Sequence, residues 1–107
     1  MKTLVLLLLL AGDFTTERVL VLKPKAVHEE GVTLSAKERV IYSIRCSAPL
    51  KFNIHFHEGA DVTYVREESP VREVDATFEA KEKREYWFMW TNDSTEAVAL
   101  YFKIRKE

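Results

Sequence analysis

His55 and His57 stand two residues apart in Phe52-Asn53-Ile54-His55-Phe56-His57-Glu58-Gly59, and alternation puts Phe52, Ile54 and Phe56 on one strand face and both imidazoles on the other. Two residues of extended chain set their Cα atoms about 6.5 to 7 Å apart, a spacing from which both rings can tilt onto one ion. A second segment, Glu85-Tyr86-Trp87-Phe88-Met89-Trp90-Thr91-Asn92, has the same period. Tyr86, Phe88 and Trp90 share its apolar phase, and Trp87 and Met89 share the other. If the two segments are neighbouring strands, His55, His57, Trp87 and Met89 form one solvent-side patch. Met89 then completes a set of three ligands if register places it beside the histidines. Two imidazoles and a thioether favour a soft or borderline ion, above all copper as Cu(I), whereas Ca²⁺ and Mg²⁺ want oxygens. Trp87 would cover the ion with its indole face. Glu58 and Asp61 follow on the turn at Gly59, where they would orient an imidazole or supply an oxygen that moves preference toward zinc or Cu(II). The plainer reading of the same residues is a polar strand face, a packing methionine and ordinary turn carboxylates.

Catalysis finds little in this chain. No serine or cysteine nucleophile is placed with the histidines, and three glycines build no phosphate-cradling loop. The expectation is a non-enzyme. The single cysteine, Cys46, excludes an internal disulfide and lies in phase with Val40, Tyr42 and Ile44, so it reads as a small core side chain. His28, in Val27-His28-Glu29-Glu30, reads as an isolated surface residue. Asn92-Asp93-Ser94 matches the glycan acceptor pattern but sits between two strong strands, where a hairpin turn explains it better. The 16 basic and 17 acidic residues are interspersed, which leaves no basic stripe for phosphates and excludes nucleic acid as a partner.

The elements that must hold these residues are strands. From Arg18 onward the sequence runs with a period of two between turn residues, and a chain of 107 residues is one domain. The expected segments are Arg18 to Lys23, Gly31 to Leu34, Glu38 to Cys46, Leu50 to His57, Val62 to Val65, Val74 to Glu79, Lys83 to Asn92 and Ala97 to Arg105. Seven or eight short strands predict an all-β fold, an antiparallel β-sandwich, with an open-ended barrel as the alternative. Its core should contain Phe52, Ile54, Phe56, Tyr86, Phe88, Trp90, Val98, Leu100, Phe102 and Ile104. Met1-Lys2-Thr3, the apolar run Leu4 to Leu10 and Ala11-Gly12 look like a compressed secretory leader over residues 1–12, ahead of a domain at 13–107. The run is too short to span a bilayer. Asp13 stands where a lipoprotein needs cysteine. An extracytoplasmic, periplasmic location follows, and a cytoplasmic one if Leu4 to Leu10 is instead a core strand.

The order Glu38-Arg39-Val40-Ile41-Tyr42-Ser43-Ile44, Leu50 to Ile54, a charged strand pair, Tyr86 to Asn92 and Val98 to Ile104 resembles GOLD-type (Golgi-dynamics) β-sandwich domains. The chain is more similar still to small bacterial exported proteins carrying a like Phe-Asn-Ile-His-x-His-Glu-Gly and Met-Trp-Thr-Asn. The resemblance covers roughly residues 18–105. It implies a β-sandwich and interaction between proteins, and it brings no catalytic residues. Two readings result. One is a small exported copper protein with His55, His57 and Met89 as ligands and Trp87 and Glu58 in support, buffering or handing on the ion. The other is a GOLD-like interaction module that docks another envelope protein with the same face.

Overall fold

A long hairpin organises the whole molecule. The computed structural model describes residues 14–107, so the leader at 1–12 and the run Leu4 to Leu10 lie outside the described residues. Six strands cover the rest: β1 (Thr15–Leu22), β2 (Val27–Leu34), β3 (Arg39–Glu58), β4 (Asp61–Glu79), β5 (Arg84–Thr91) and β6 (Val98–Lys106). β3 and β4 pair antiparallel from Glu58 opposite Asp61 at the tip to Arg39 opposite Glu79 at the base. Gly59 turns the tip at a φ of 62°, where a side chain would be strained.

The hairpin bends in the middle, and the bend divides the sheet. Pairing slips between Arg45 and Leu50, where Pro49 stands in β3, and again between Leu50 and Phe52, where Pro70 stands in β4. Proline has no N–H to give to a ladder, so both strands loosen at the same level and turn a corner. On its other edge β3 then changes partner, from β6 over Val40–Cys46 to β5 over Lys51–His55. The first half-sheet is β1, β6 and the base of the hairpin; the second is β2, β5 and its tip. The fold is all-β and antiparallel, with one curled sheet folded over so that its two halves face each other. All eight expected segments are present. Four of them fuse into the two long strands, because the prolines bend the hairpin instead of ending it.

The half-sheets meet across an aromatic layer. Trp90 of β5 stacks on Phe102 of β6 with ring centroids 4.4 Å apart, Phe78 of β4 meets Tyr86 edge-on at 5.0 Å, and Tyr42 of β3 meets Phe88 at 5.4 Å. Every expected core residue is buried. Each ring takes about 150–250 Å² out of water, worth about 4–6 kcal/mol at ~25 cal/mol per Å². Cys46 is half-buried against this core, and the loss of solvent pushes its thiol up to about 11. That removes the thiolate a nucleophile needs.

Two polar residues close the ends. Asn92 is fully buried and donates through Nδ2 to the carbonyls of Leu22 (2.9 Å), Lys23 (3.2 Å) and Glu96 (2.7 Å), while its Oδ1 accepts from the backbone N–H (3.0 Å) and Oγ (2.7 Å) of Ser94. It ties the end of β1 to the β5–β6 turn, and no glycan can reach it there. His28 corrects an expectation. It is not a surface residue, because its phase on β2 opposes Trp90, and its ring packs on Trp90 (6.0 Å) and Phe102 (5.6 Å). Its Nε2 reaches Glu30 at 3.3 Å, and Glu30 accepts from Arg18 of β1 at 3.2 Å, bridging the two strands that have no ladder between them.

Candidate functional site

The tip of the hairpin and β5 do lie side by side, and their outward residues form three cross-sheet rows on the second half-sheet. The central row runs Tyr64, His55, Trp87, Gly31 from β4 to β2. On one side lies the row Glu67, Asn53, Met89, Glu29. On the other are Val62 with His57, and Glu85 with Thr33. The two histidines, Trp87 and Met89 therefore share one face.

His55 differs from the solvent-side residue that alternation predicts: it is 3% exposed. The β3–β4 register shifts between Ile54 and His55, leaving Val65 as an extra residue in β4. Such a bulge re-aims the side chains beside it. Tyr64 is brought over the imidazole, with ring centroids 5.7 Å apart, and His57 covers another side at 5.1 Å. His55 Nδ1 is 2.7 Å from Asn53 Oδ1, which can only accept, so Nδ1 carries the proton and donates. Nε2 is then free to act as an acceptor or ligand, 3.5 Å from Glu29 Oε2. Burial holds the imidazole below the usual histidine range; the Glu29 carboxylate pulls it upward and His57 adds to the lowering.

The remaining expected site residues are distributed differently from the sequence reading. Met89 opposes Asn53, not His55, and so stands one diagonal step away, about 7 to 8 Å in ordinary sheet geometry. Trp87 opposes His55 but extends its indole across β2: a Cβ built on Gly31 would lie 2.9 Å from Trp87 Cζ3. Glu58 turns away to Arg84, at 3.1 Å, whose guanidinium covers Phe56. Asp61 pairs with Glu58 at the exposed tip. Asn53 and Glu29 take the supporting places next to the imidazole. Asn53 was open to discovery, since it shares a strand face with His55 two residues on, but Glu29 arrives from a strand that no local pattern links to the histidines. Among the described residues no three His, Cys, Asp or Glu side chains group to hold a metal ion.

Two concavities border this face. A hollow of about 340 Å³ is lined by Glu29, His57, Glu85 and Trp87. A larger cleft of about 560 Å³ opens where β4 bends, over a floor of Phe56, Phe78 and Tyr86. Exposed Tyr64 and Val65 line the larger cleft. No described helix is long and apolar enough to cross a membrane.

No protein-family model matches this chain, and no curated protein matches it, so the GOLD-type resemblance rests on its short motifs. Solved structures do match. Aeromonas hydrophila PliG, a periplasmic lysozyme inhibitor of g-type lysozyme, is similar with a TM-score of 0.66 and 10% identity over 90% of this chain and 89% of that one. A de novo designed double-stranded β-helix is similar at a TM-score of 0.47 and 21% identity, over 86% of this chain and 99% of that one. At such identities the likeness is one of fold: an all-β architecture with PliG-like topology.

Proposed function

We propose that this protein is a small, extracytoplasmic, non-enzymatic module that works by binding another protein with the outer face of its second half-sheet. The observation that carries this reading is the row Tyr64, His55, Trp87, Gly31: aromatic groups at the centre of an open sheet face, ringed by carboxylates, as in binding surfaces rich in tyrosine and tryptophan. Three things support it. The PliG fold serves a periplasmic protein inhibitor. The GOLD-type resemblance implies protein interaction. The half-buried Cys46 thiol, its pKa raised by loss of solvent, offers no nucleophile. A g-type lysozyme is the first partner to test, by calorimetric titration of the full chain and by loss of lysozyme activity. Association that disappears in Tyr64→Ala/Trp87→Ala is expected. Association unchanged in that variant would remove this face from the reading, and none at all would remove lysozyme as the partner.

A second reading is a transition-metal site at His55 and His57. It is favoured by one distance: His55 Nε2 and Glu29 Oε2 are 3.5 Å apart, close to the spacing of two atoms bound at about 2.0–2.1 Å to one tetrahedral ion. Glu29, not Met89, is the donor next to His55, and an oxygen there would move preference from Cu(I) toward zinc or Cu(II); further ligands would have to come from solvent or a partner, since among the described residues no third such side chain groups with them. Titration with both copper states and zinc tests it. Equal affinity in His55→Ala/His57→Ala and in the parent chain would end the metal reading.

A further inference from the structure

We infer that the hollow beside Trp87 receives an arginine side chain of the protein partner; this rests on the protein-binding reading above. The argument begins with unanswered charge. Glu29 and Glu85 flank the hollow, and among the described residues neither has a lysine or arginine within ion-pair range; the one basic contact is that of Glu29 with His55. His55 does not supply a standing positive charge at neutral pH, because burial favours its uncharged form. Elsewhere on this face the sole lysine among the described residues, Lys51, is engaged by Asp93 at 3.2 Å. The surface thus asks for a cation from outside.

The shape of the hollow selects which cation. One wall is the Trp87 indole, and a guanidinium is planar, weakly hydrated and able to stack on an aromatic ring while its N–H groups fork to carboxylates. An ammonium is a compact, strongly hydrated charge that makes less use of such a wall. Gly31 is the positioning residue. A Cβ there would meet Trp87 Cζ3 at 2.9 Å, Trp87 Cη2 at 3.0 Å and Glu85 Oε2 at 3.2 Å, so the absent side chain lets the indole lie across β2 with the Glu85 carboxylate next to it. Gly31 has no positive φ and stands in an exposed strand position, so its backbone gives no separate reason for glycine.

The test uses the full chain and an acetylated Gly-Arg-Gly-Arg-Gly amide, its lysine counterpart, and its citrulline counterpart, which keeps the shape of arginine without the charge. Binding is followed by amide chemical shifts. The arginine peptide should perturb Glu29, Gly31, Glu85 and Trp87, the lysine peptide should bind more weakly, and the citrulline peptide should leave the spectrum unchanged. Glu29→Gln/Glu85→Gln should weaken arginine binding about tenfold. Gly31→Ala should weaken it as well, with no fall in Tm. Equal binding of arginine and citrulline peptides, or shifts mapping away from this hollow, would overturn the inference. Lysozyme association lost in Trp87→Ala but retained in Glu29→Gln/Glu85→Gln would overturn the arginine site while leaving the protein-binding reading in place. Arginine-peptide binding here without lysozyme association would support the site and count against lysozyme.

Discussion

The two outer faces are built from the two halves of one hairpin, yet they treat charge in opposite ways. On the first half-sheet, Arg45 bonds Asp75 at 2.8 Å and approaches Glu73 at 4.0 Å, Tyr101 donates to Glu17 at 2.8 Å, and Arg39 pairs with Glu107 at 2.9 Å. Exposed apolar groups there are aliphatic and confined to the edge strand, with Val19 at 77% and Val21 at 63% exposure. The second face places aromatic groups at its centre and leaves Glu29, Glu67 and Glu85 without a lysine or arginine partner among the described residues. Exposed ion pairs add little stability, so the pairing on the first face is no structural necessity. Its absence on the second costs the fold almost nothing. What differs is the availability of carboxylates: on the first face Glu73, Asp75 and Glu107 meet an arginine of the same face, and on the second Glu29, Glu67 and Glu85 are left for a partner.

The largest effect should separate inside from outside within β5. Phe88→Ala should cost about 3–5 kcal/mol in urea unfolding, since Phe88 is fully buried among Tyr42, Phe52 and Phe78. Its neighbour Trp87→Ala should fold nearly as well and lose partner binding. A Trp87→Ala chain as unstable as Phe88→Ala would make the aromatic row a piece of core and erase the contrast. Asn92→Ala should cost about 2–3 kcal/mol, because the carbonyls of Leu22 and Lys23 lose their side-chain donor and that of Glu96 keeps only Ser94 Oγ. Binding by the folded fraction should be unchanged, as measured after correction for unfolded protein.

A smaller effect should appear with pH. The folded-state pKa of His55 is lowered, so between that value and the ordinary histidine range the unfolded chain binds more protons. Stability should therefore be full above the ordinary range and fall as pH drops from about 6.5 through the folded value. His55→Gln should flatten that part of the profile in pH-dependent denaturation. A slope unchanged in His55→Gln would show that the imidazole is as free to protonate in the fold as outside it. Smallest of all, Arg45→Ala breaks the ion pairs with Asp75 and Glu73 on the first face and should leave partner binding unaltered.

The strand phases were legible because each strand has a clear apolar face: Phe52, Ile54 and Phe56, or Val98, Leu100, Phe102 and Ile104, leave one choice of which side is buried. The sharing of one face by His55, His57, Trp87 and Met89 was legible for the same reason. Register was not. Whether Met89 or Trp87 opposes His55 depends on how two distant segments pair, and a slip of two residues preserves every apolar phase. The burial of His55 depends on Val65, one extra residue in the opposite strand, with no signature in the histidine segment. His28 was misread because an inward histidine beside Glu29 and Glu30 looks polar until Trp90 and Phe102 are placed against it.

The pairing of β1 with β6 has a consequence for how the chain comes into being. Thr15 lies opposite Arg105, so the first strand has no sheet neighbour until the last has been synthesised. Sheets dominated by such distant pairings close slowly, on the millisecond-to-second scale, because the loop entropy is spent before the contacts form. Until β6 has been synthesised, a nascent chain can close the β3–β4 hairpin but not the β1–β6 edge of the sheet.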